Sequence, residues 1–405
     1  MYLSPIFIIS FLLASAEFVL GGSRFFEAKA PNKRTNPSPN YVTTETLNAT
    51  SQLARRGISI KNLPGDDGAP RLWPNRKIRY CYDDKDPDAV VRGLCHQAIE
   101  AWAVLRDQHG FSYEEVTDAE CESQRKTVLR IYYNSEGRLA STLGIPPINE
   151  AANRKDPENA IEGPLSHLSD MEGIGQDDIT ANVAHELGHV WGLYHEHQNP
   201  HYWKVTSGDV GWSFPTKTDA DVRFQTNKFN CQNLKDYDVA RARVQEKIDK
   251  MVEEIAKLQD QEKIKQKTKE KGDLETELSR LCVSQVVAAK HRFSAAEWIP
   301  LANTVNVEMD DQFDPDSLMM YPSGAGGKGL SDDRLVVMSY QDGSPIPNRL
   351  APSAMDYSRL IALYGTTAAT TPGTVHTSKS SKLRNLFKSS RNKNKRAGDT
   401  AAGLC

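Results

Sequence analysis

The chain has 405 residues, a formal net charge of −3 and 39% hydrophobic residues. A balance this close to neutral gives no whole-molecule electrostatic draw toward nucleic acid, and none is expected as a partner. The length fits one domain of ordinary size with added segments. Residues 3–14 are mostly apolar and run into Ala14-Ser15-Ala16, a small-x-small cleavage pattern, so 1–16 is expected to be a signal peptide. That run is too short for a permanent span, and no other long apolar run follows, so a secreted, extracellular protein without a membrane span is expected. Residues 17–56 are polar, carry Pro31, Pro37, Pro39 and the sequon Asn48-Ala49-Thr50, and end on the dibasic pair Arg55-Arg56. They read as a pro-segment removed during secretion. Six cysteines (Cys81, Cys95, Cys121, Cys231, Cys282, Cys405) suit the oxidising route. Their pairing is not fixed by sequence, although Cys231 and Cys282 bracket an insertion and are the first pair to expect.

Further along, Ala98-Ile99-Glu100-Ala101-Trp102 has apolar residues at helical spacing, and Val128-Leu129-Arg130-Ile131-Tyr132-Tyr133 is a β-rich run suited to a central strand. The most informative stretch is His185-Glu186-Leu187-Gly188-His189-Val190-Trp191-Gly192-Leu193-Tyr194-His195-Glu196. On a helix, His185 and His189 leave the same face and can share one tetrahedral ion. Glu186 sits one residue round from the first ligand, placed to take a proton from a water activated by that ion. Gly192 permits a sharp turn with φ above zero, which swings His195 back as a third nitrogen ligand. Three protein ligands leave the fourth position open, as a catalytic zinc requires. His197 and His201 are expected to be structural or solvated rather than extra ligands.

Residues 205–299 follow. Val244, Ile248, Met251, Ile255 and Leu258 repeat at three- and four-residue steps, Gly272-Asp273 is expected to break and cap, and Leu274, Leu278 and Leu281 resume the seam. Two antiparallel helices in a hairpin are expected. The simpler role is a surface excursion covering one flank of the core; a lid or partner-binding arm is the alternative, with its partner unknown. Asp316-Ser317-Leu318-Met319-Met320-Tyr321-Pro322 then precedes a Gly-rich loop, and after Gly365 the composition shifts to a basic tail, 366–405, expected to be disordered.

The extended histidine motif, with a methionine turn downstream, resembles the astacin family of zinc metallopeptidases in the metzincin clan. Glu196 follows the third histidine as in that family, Met319 matches the turn methionine, and Tyr321 matches the tyrosine able to reach the zinc. Met320 replaces the usual histidine, and His197-Gln198-Asn199-Pro200 replaces an Arg with acidic residues. The resemblance extends to Arg71-Leu72-Trp73-Pro74 with Ile78-Arg79-Tyr80 (a first strand), the helix near Trp102, Ala140–Gly144 (the edge strand that pairs with extended substrate) and 352–365 (a closing helix). It implies an α+β fold: a two-lobed metzincin catalytic domain over 71–365, with a mixed twisted sheet, a zinc helix and the inserted hairpin. It also implies one zinc ion on His185, His189 and His195. Protein or peptide substrates would be cut at internal bonds, with Glu186 as general base and Tyr321 stabilising the oxyanion. In such enzymes a freed N-terminus folds toward the glutamate after the third histidine, here Glu196. Gly57 would be that terminus after cleavage at Arg56, yet it lies further from Leu72 than the resemblance implies. Leu63-Pro64-Gly65-Asp66 faintly resembles an aspartate that blocks zinc in the pro-segment, but cutting after Arg56 would keep Asp66; the two assignments conflict.

Two other classes remain. A binding protein with a retired zinc site should have lost the base or a ligand, and none is lost. An esterase or other zinc hydrolase is less consistent with the methionine turn and edge strand.

Overall fold

The computed structural model describes residues 20–21, 57–62, 70–83, 88–155, 160–215, 221–329 and 331–365. The expected signal peptide, most of the pro-segment, Arg55-Arg56, Leu63–Asp66 and the basic tail lie outside the described residues.

A six-stranded mixed sheet forms the first layer. Its strands are β1 (Leu20–Gly21), β3 (Lys77–Tyr82), β4 (Ser112–Glu115), β5 (Leu129–Tyr133), β6 (Ala140–Thr142) and β7 (Leu165–Leu168), in the order β1-β6-β7-β5-β3-β4. The run expected to be a central strand is β5, parallel to β3 on one side and β7 on the other. β6 pairs antiparallel with β7, and its other edge carries β1, with Leu20 opposite Thr142 and Gly21 opposite Ser141. Two helices pack against each other beside the sheet: α1 (Asp88–Ala101) and α2 (Ile179–Trp191). The Trp102 indole N–H donates to the Ala184 carbonyl oxygen at 2.9 Å, and that of Trp73 to Val190 at 2.6 Å. α2 is buried from Ala181 to Trp191 without an exposed face, the pattern of a helix enclosed on all sides.

The core divides into two large clusters. One holds Trp73, Ile78, Trp102, Leu129, Leu187 and Met319. The other holds Phe224, Phe229, Val244, Phe293, Trp298 and Met320. Residues 205–299 are therefore no surface excursion, because they supply most of the second core. The seam residues Val244 and Ile248 are buried there, with Leu274 and Leu278 packed against them. These lie on α3 (Tyr237–Ala256) and α4 (Gln261–Ser279), which pack side by side.

The break expected at Gly272-Asp273 does not occur. α4 runs through it, and the chain turns instead before Asp260, whose carboxylate accepts from the backbone N–H groups of Glu262 and Lys263 at 3.0 and 3.3 Å. An interior glycine costs a helix only about 1 kcal/mol, less than a good cap and the packing against α3 return. Disulfides join Cys231 to Cys282, the expected pair, and Cys81 to Cys121. Cys95 is a buried free thiol. The remaining elements used below are β2 (Ile58–Ile60), antiparallel to β10 (Val307–Met309), the parallel pair β8 (Trp203–Lys204) and β9 (Phe224–Gln225), and α5 (Ala354–Tyr364). Among the described residues no helix is long and apolar enough to cross a membrane.

Candidate active site

α2 carries His185, Glu186 and His189. It starts at Asp178, whose side chain accepts from Ala181 N–H at 2.9 Å, and stops at Gly192 with φ of +110°. A Cβ on Gly192 would come within 2.9 Å of Ile60, so both conformation and space require glycine there. Gly188 answers a different need. A Cβ on it would lie 2.5 Å from the sulfur of Met319, which packs against this helix. The adjacent methionines therefore serve different cores: Met319 belongs to the cluster with α2, Met320 to the cluster with residues 224–298.

After the turn His195 returns to the helix face. The three Nε2 atoms form a triangle with sides of 3.1 Å (185–189), 3.0 Å (189–195) and 3.2 Å (185–195). Each ring spends its other nitrogen on an oxygen: His185 Nδ1 donates to the Leu318 carbonyl at 2.8 Å, His189 Nδ1 to Leu193 at 2.7 Å, and His195 Nδ1 to Oε1 of Gln198 at 3.1 Å. The carbonyls can only accept, and the Gln198 amide is oriented by its Nε2 donating to the Ala296 carbonyl at 3.0 Å. The protons thus sit on Nδ1, and three Nε2 lone pairs converge with no hydrogen to share. Burial keeps the rings neutral: the pKa of His185 is lowered to about 4, and those of His189 and His195 fall well below the imidazole range, the adjacent imidazoles adding to the effect. Three lone pairs at this spacing call for a cation. Zinc bonded to nitrogen at about 2.0–2.1 Å in tetrahedral geometry would space its ligands at roughly 3.3 Å. Among the described residues these three histidines form the one group of metal-ligating side chains close enough to hold an ion.

Glu186 is buried, and its Oε2 has no hydrogen-bond partner. Burial raises its pKa well above the carboxylate range; a hydrogen bond from Ser141 of β6 opposes this, and the charge of Glu297 adds to it. Tyr321 packs its ring 4.1 Å from that of His195 and 5.5 Å from that of His185. Glu186, His185 and Tyr321 all line one small pocket, with room for little more than water. The structure thus brings all five expected residues together. His197 is buried and stacks on His195 at 5.3 Å, with its Nε2 donating to the Glu297 carbonyl at 2.9 Å, which is a structural role.

Three further residues lacked a sequence signal. Gln198 holds His195. Glu297 lines the pocket from within the 205–299 segment. Asp356, in the closing helix, accepts from Leu318 N–H at 2.8 Å and so holds the peptide that orients His185. Spacing from the histidine motif marks none of them, since each is brought in by folding.

Glu196 points away from this triangle. Its Oε1 accepts from Asp314 N–H at 3.0 Å, and a Cβ built on Gly57 would lie 3.8 Å from its Oε2. β2 begins just after Gly57 and is tied to the turn beyond α2, Ile60 N–H donating to Gly192 and Tyr194 N–H to Ile58. The residue that seemed too distant in sequence is therefore adjacent in space.

No protein-family model and no curated protein matches this chain. Among solved structures it is similar to myroilysin, at 12% identity over 77% of this chain and 100% of that chain, with a TM-score of 0.33. A second structure of myroilysin gives 12% identity, 73% and 86% coverage and a TM-score of 0.32. High choriolytic enzyme 1, a hatching enzyme zinc-protease from the medaka fish Oryzias latipes, gives 14% identity over 73% of this chain and 94% of that chain, with a TM-score of 0.36. At these identities and scores, function has to be argued from the site itself.

Proposed function

We propose that this chain is a secreted, zinc-dependent endopeptidase of astacin-like type, with residues 71–365 as its catalytic unit. The observation that carries this reading is the triangle of Nε2 lone pairs, each ring held by an Nδ1–H donated to oxygen, beside a buried carboxylate oxygen with no partner. His185, His189 and His195 would hold the zinc. When bound, the ion supplies Lewis acidity, polarising a carbonyl and lowering the pKa of water to about 7.

This chain's own groups do the rest. Glu186 takes the proton of the attacking water and later delivers it to the leaving amine, a role that needs a carboxylate in reach and otherwise uncommitted. A cation beside it would offset the burial that raises its pKa and restore its basicity. Tyr321 donates its phenolic hydrogen toward the developing oxyanion. The edge of β6 that faces away from β7, next to Glu186 through Ser141, aligns an extended peptide as an added strand once β1 has left it.

Residues 1–16 act as signal peptide and 17–56 as pro-segment. The backbone of Leu20–Gly21 on the edge of β6 supports the latter, since it occupies the position an added substrate strand would take. Residues 366–405 form a basic tail. The test is Glu186→Ala. It should bind zinc stoichiometrically yet lose casein hydrolysis by about 10³-fold or more. Retained activity, or a wild type that binds no zinc, would overturn the reading.

A further inference from the structure

Gln176 lies in the loop that leads into α2. It is 2% exposed and lines the pocket beside Glu186, yet the proposed chemistry gives it no task. Its amide is committed to backbone groups. Nε2 donates to the Met320 carbonyl at 2.8 Å and, at a longer 3.4 Å, to that of Leu318, while Oε1 accepts from Arg349 N–H at 2.8 Å. One side chain therefore joins three segments remote in sequence: the approach to α2, the methionine turn and the stretch before α5. That last stretch grips the turn at both ends. Arg349 Nε donates to the Pro315 carbonyl at 2.9 Å, Ser323 N–H donates to the Ile346 carbonyl at 3.0 Å, and Ile346 N–H donates to Ser323 Oγ at 2.7 Å.

Gln176 is in turn held by the helix of Glu186. Its N–H donates to Asn182 Oδ1 at 2.7 Å, and Asn182 Nδ2 donates to the Ile174 carbonyl at 3.0 Å. Asn182 is buried on α2, one turn before Glu186 and on the same face. The loop wraps it closely: a Cβ on Gly175, whose φ is +52°, would lie 2.3 Å from Asn182 Oδ1. The Met320 carbonyl belongs to the peptide plane that leads into Tyr321. Ring contacts of Tyr321 with His195 at 4.1 Å and Trp298 at 5.0 Å fix the plane of the phenol but do not stop it sliding along that plane. The backbone pin sets how far the hydroxyl reaches. Glutamine suits the task because it donates and accepts at once; a hydrocarbon or an ionised carboxylate would leave the Met320 carbonyl without a donor.

We propose that Gln176 is a positioning residue for Tyr321, tying the oxyanion donor to the helix of Glu186 so that donor and general base keep a fixed spacing. The inference rests on the peptidase reading and adds a residue to it.

Gln176→Met keeps the length of the side chain without either hydrogen bond. It should lower kcat by about tenfold or more, because a donor displaced by even an ångström loses the oxyanion. KM and zinc affinity, the latter from chelator competition, should stay within about threefold, since Asp356 still holds Leu318. The decisive reading is a double-mutant cycle. In a Tyr321→Phe background Gln176→Met should cost less than about twofold, the hydroxyl it places being gone. Equal losses in both backgrounds overturn the proposal. So does a Tyr321→Phe enzyme as fast as the wild type, or a zinc affinity that falls in step with kcat, which would make Gln176 a mere prop. Should Gln176→Met not fold, Gln176→Asn, whose amide is one methylene short of the turn, enters the same cycle. Should the wild type cleave no peptide, the peptidase reading fails separately and amide hydrogen exchange decides the positioning role. Exchange over residues 318–321 about tenfold or more faster in the variant supports it; unchanged exchange overturns it.

Discussion

The carbonyl oxygen of Leu318 accepts the Nδ1–H of His185 at 2.8 Å, so the methionine turn fixes the tautomer of the first histidine through its backbone as well as packing Met319 under the helix. The same residue's N–H is held by Oδ2 of Asp356 at 2.8 Å, and that carboxylate also caps α5 by accepting from Ser353 N–H at 2.9 Å. A continuous hydrogen-bonded path thus runs from α5 to the ring of His185.

Breaking that path should be felt at the metal. Asp356→Ala is expected to lower zinc affinity by about 10–100-fold, the range typical of groups that orient a ligand from behind. The lost hydrogen bonds and helix cap should also remove about 2–4 kcal/mol of stability. Competition against a chromogenic chelator gives the first and urea unfolding the second. Unaltered zinc affinity in a folded variant would show that Leu318 holds its place without Asp356.

Gln198 makes a sharper test because its two amide atoms serve different partners, Oε1 the His195 ring and Nε2 the Ala296 carbonyl. Gln198→Leu removes the acceptor for His195 Nδ1–H and should weaken zinc by about 10–100-fold. Gln198→Glu restores an acceptor and should recover most of that loss. If Leu and Glu behave alike, the glutamine matters only for its contact with the 294–298 turn.

Tyr321→Phe separates binding from chemistry. The ring packs against His195 and His185 and should stay in place, so zinc affinity and KM are expected to change little. If the hydroxyl acts only as the oxyanion forms, kcat should fall by about 10²-fold. Equal changes in kcat and KM would argue for a ground-state role.

Legibility in the sequence followed how local each feature is. The helix that carries His185 and His189, the φ of Gly192 and the central strand are set by spacing over a few residues, and each stands where the pattern placed it. The seam of Val244 and Ile248 was readable as a helix, but its destination was not: periodicity tells which face is apolar, not what covers it. That is why residues 205–299 read as a flank rather than as half of the core. Glu297 was invisible for the same reason. A lone glutamate far along the chain from the histidines becomes a pocket residue only after Asp236 and His197 have tied its turn down. The break at Gly272 was overread, because one unfavourable residue was weighed without the cap at Asp260.

Asp236 gives a pH signature opposite to that of a surface carboxylate. Burial raises its pKa from 3.8 to about 6, against the two Ser294 hydrogen bonds that favour the charged form. Between about pH 4 and 6 the folded state therefore binds more proton than the unfolded chain. Stability contributed by this group is complete below its unfolded pKa and lost as pH rises through its folded one. The shift corresponds to about 3 kcal/mol at most. Urea midpoints measured from pH 4 to 8 should fall along this window in the wild type and less steeply in Asp236→Asn. An identical slope in both would assign the titration to another group.

The last expectation concerns activation. Glu196 is buried with Asp314 and Asp356 near it, and burial first, then those charges, push its pKa well above the carboxylate range. Arg359 is the nearby cation, but its guanidinium is turned to Ser59 Oγ at 2.8 Å and to Glu308 at 3.4 Å. A second positive charge would relieve the cluster, and cleavage after Arg56 would create one, the α-ammonium of Gly57, beside Glu196 Oε2. N-terminal sequencing of secreted active protein should therefore begin at Gly57, and Arg56→Ala should leave a longer chain with activity reduced about tenfold or more, since a buried carboxylate left without its partner costs several kcal/mol. The two charges can be separated from mere trimming by Glu196→Gln. It should lower the Tm of the chain starting at Gly57 more than that of the unprocessed chain, because only the former has an ammonium to lose its partner. Equal losses in both would mean that Glu196 serves only Asp314, and that the start at Gly57 carries no electrostatic consequence.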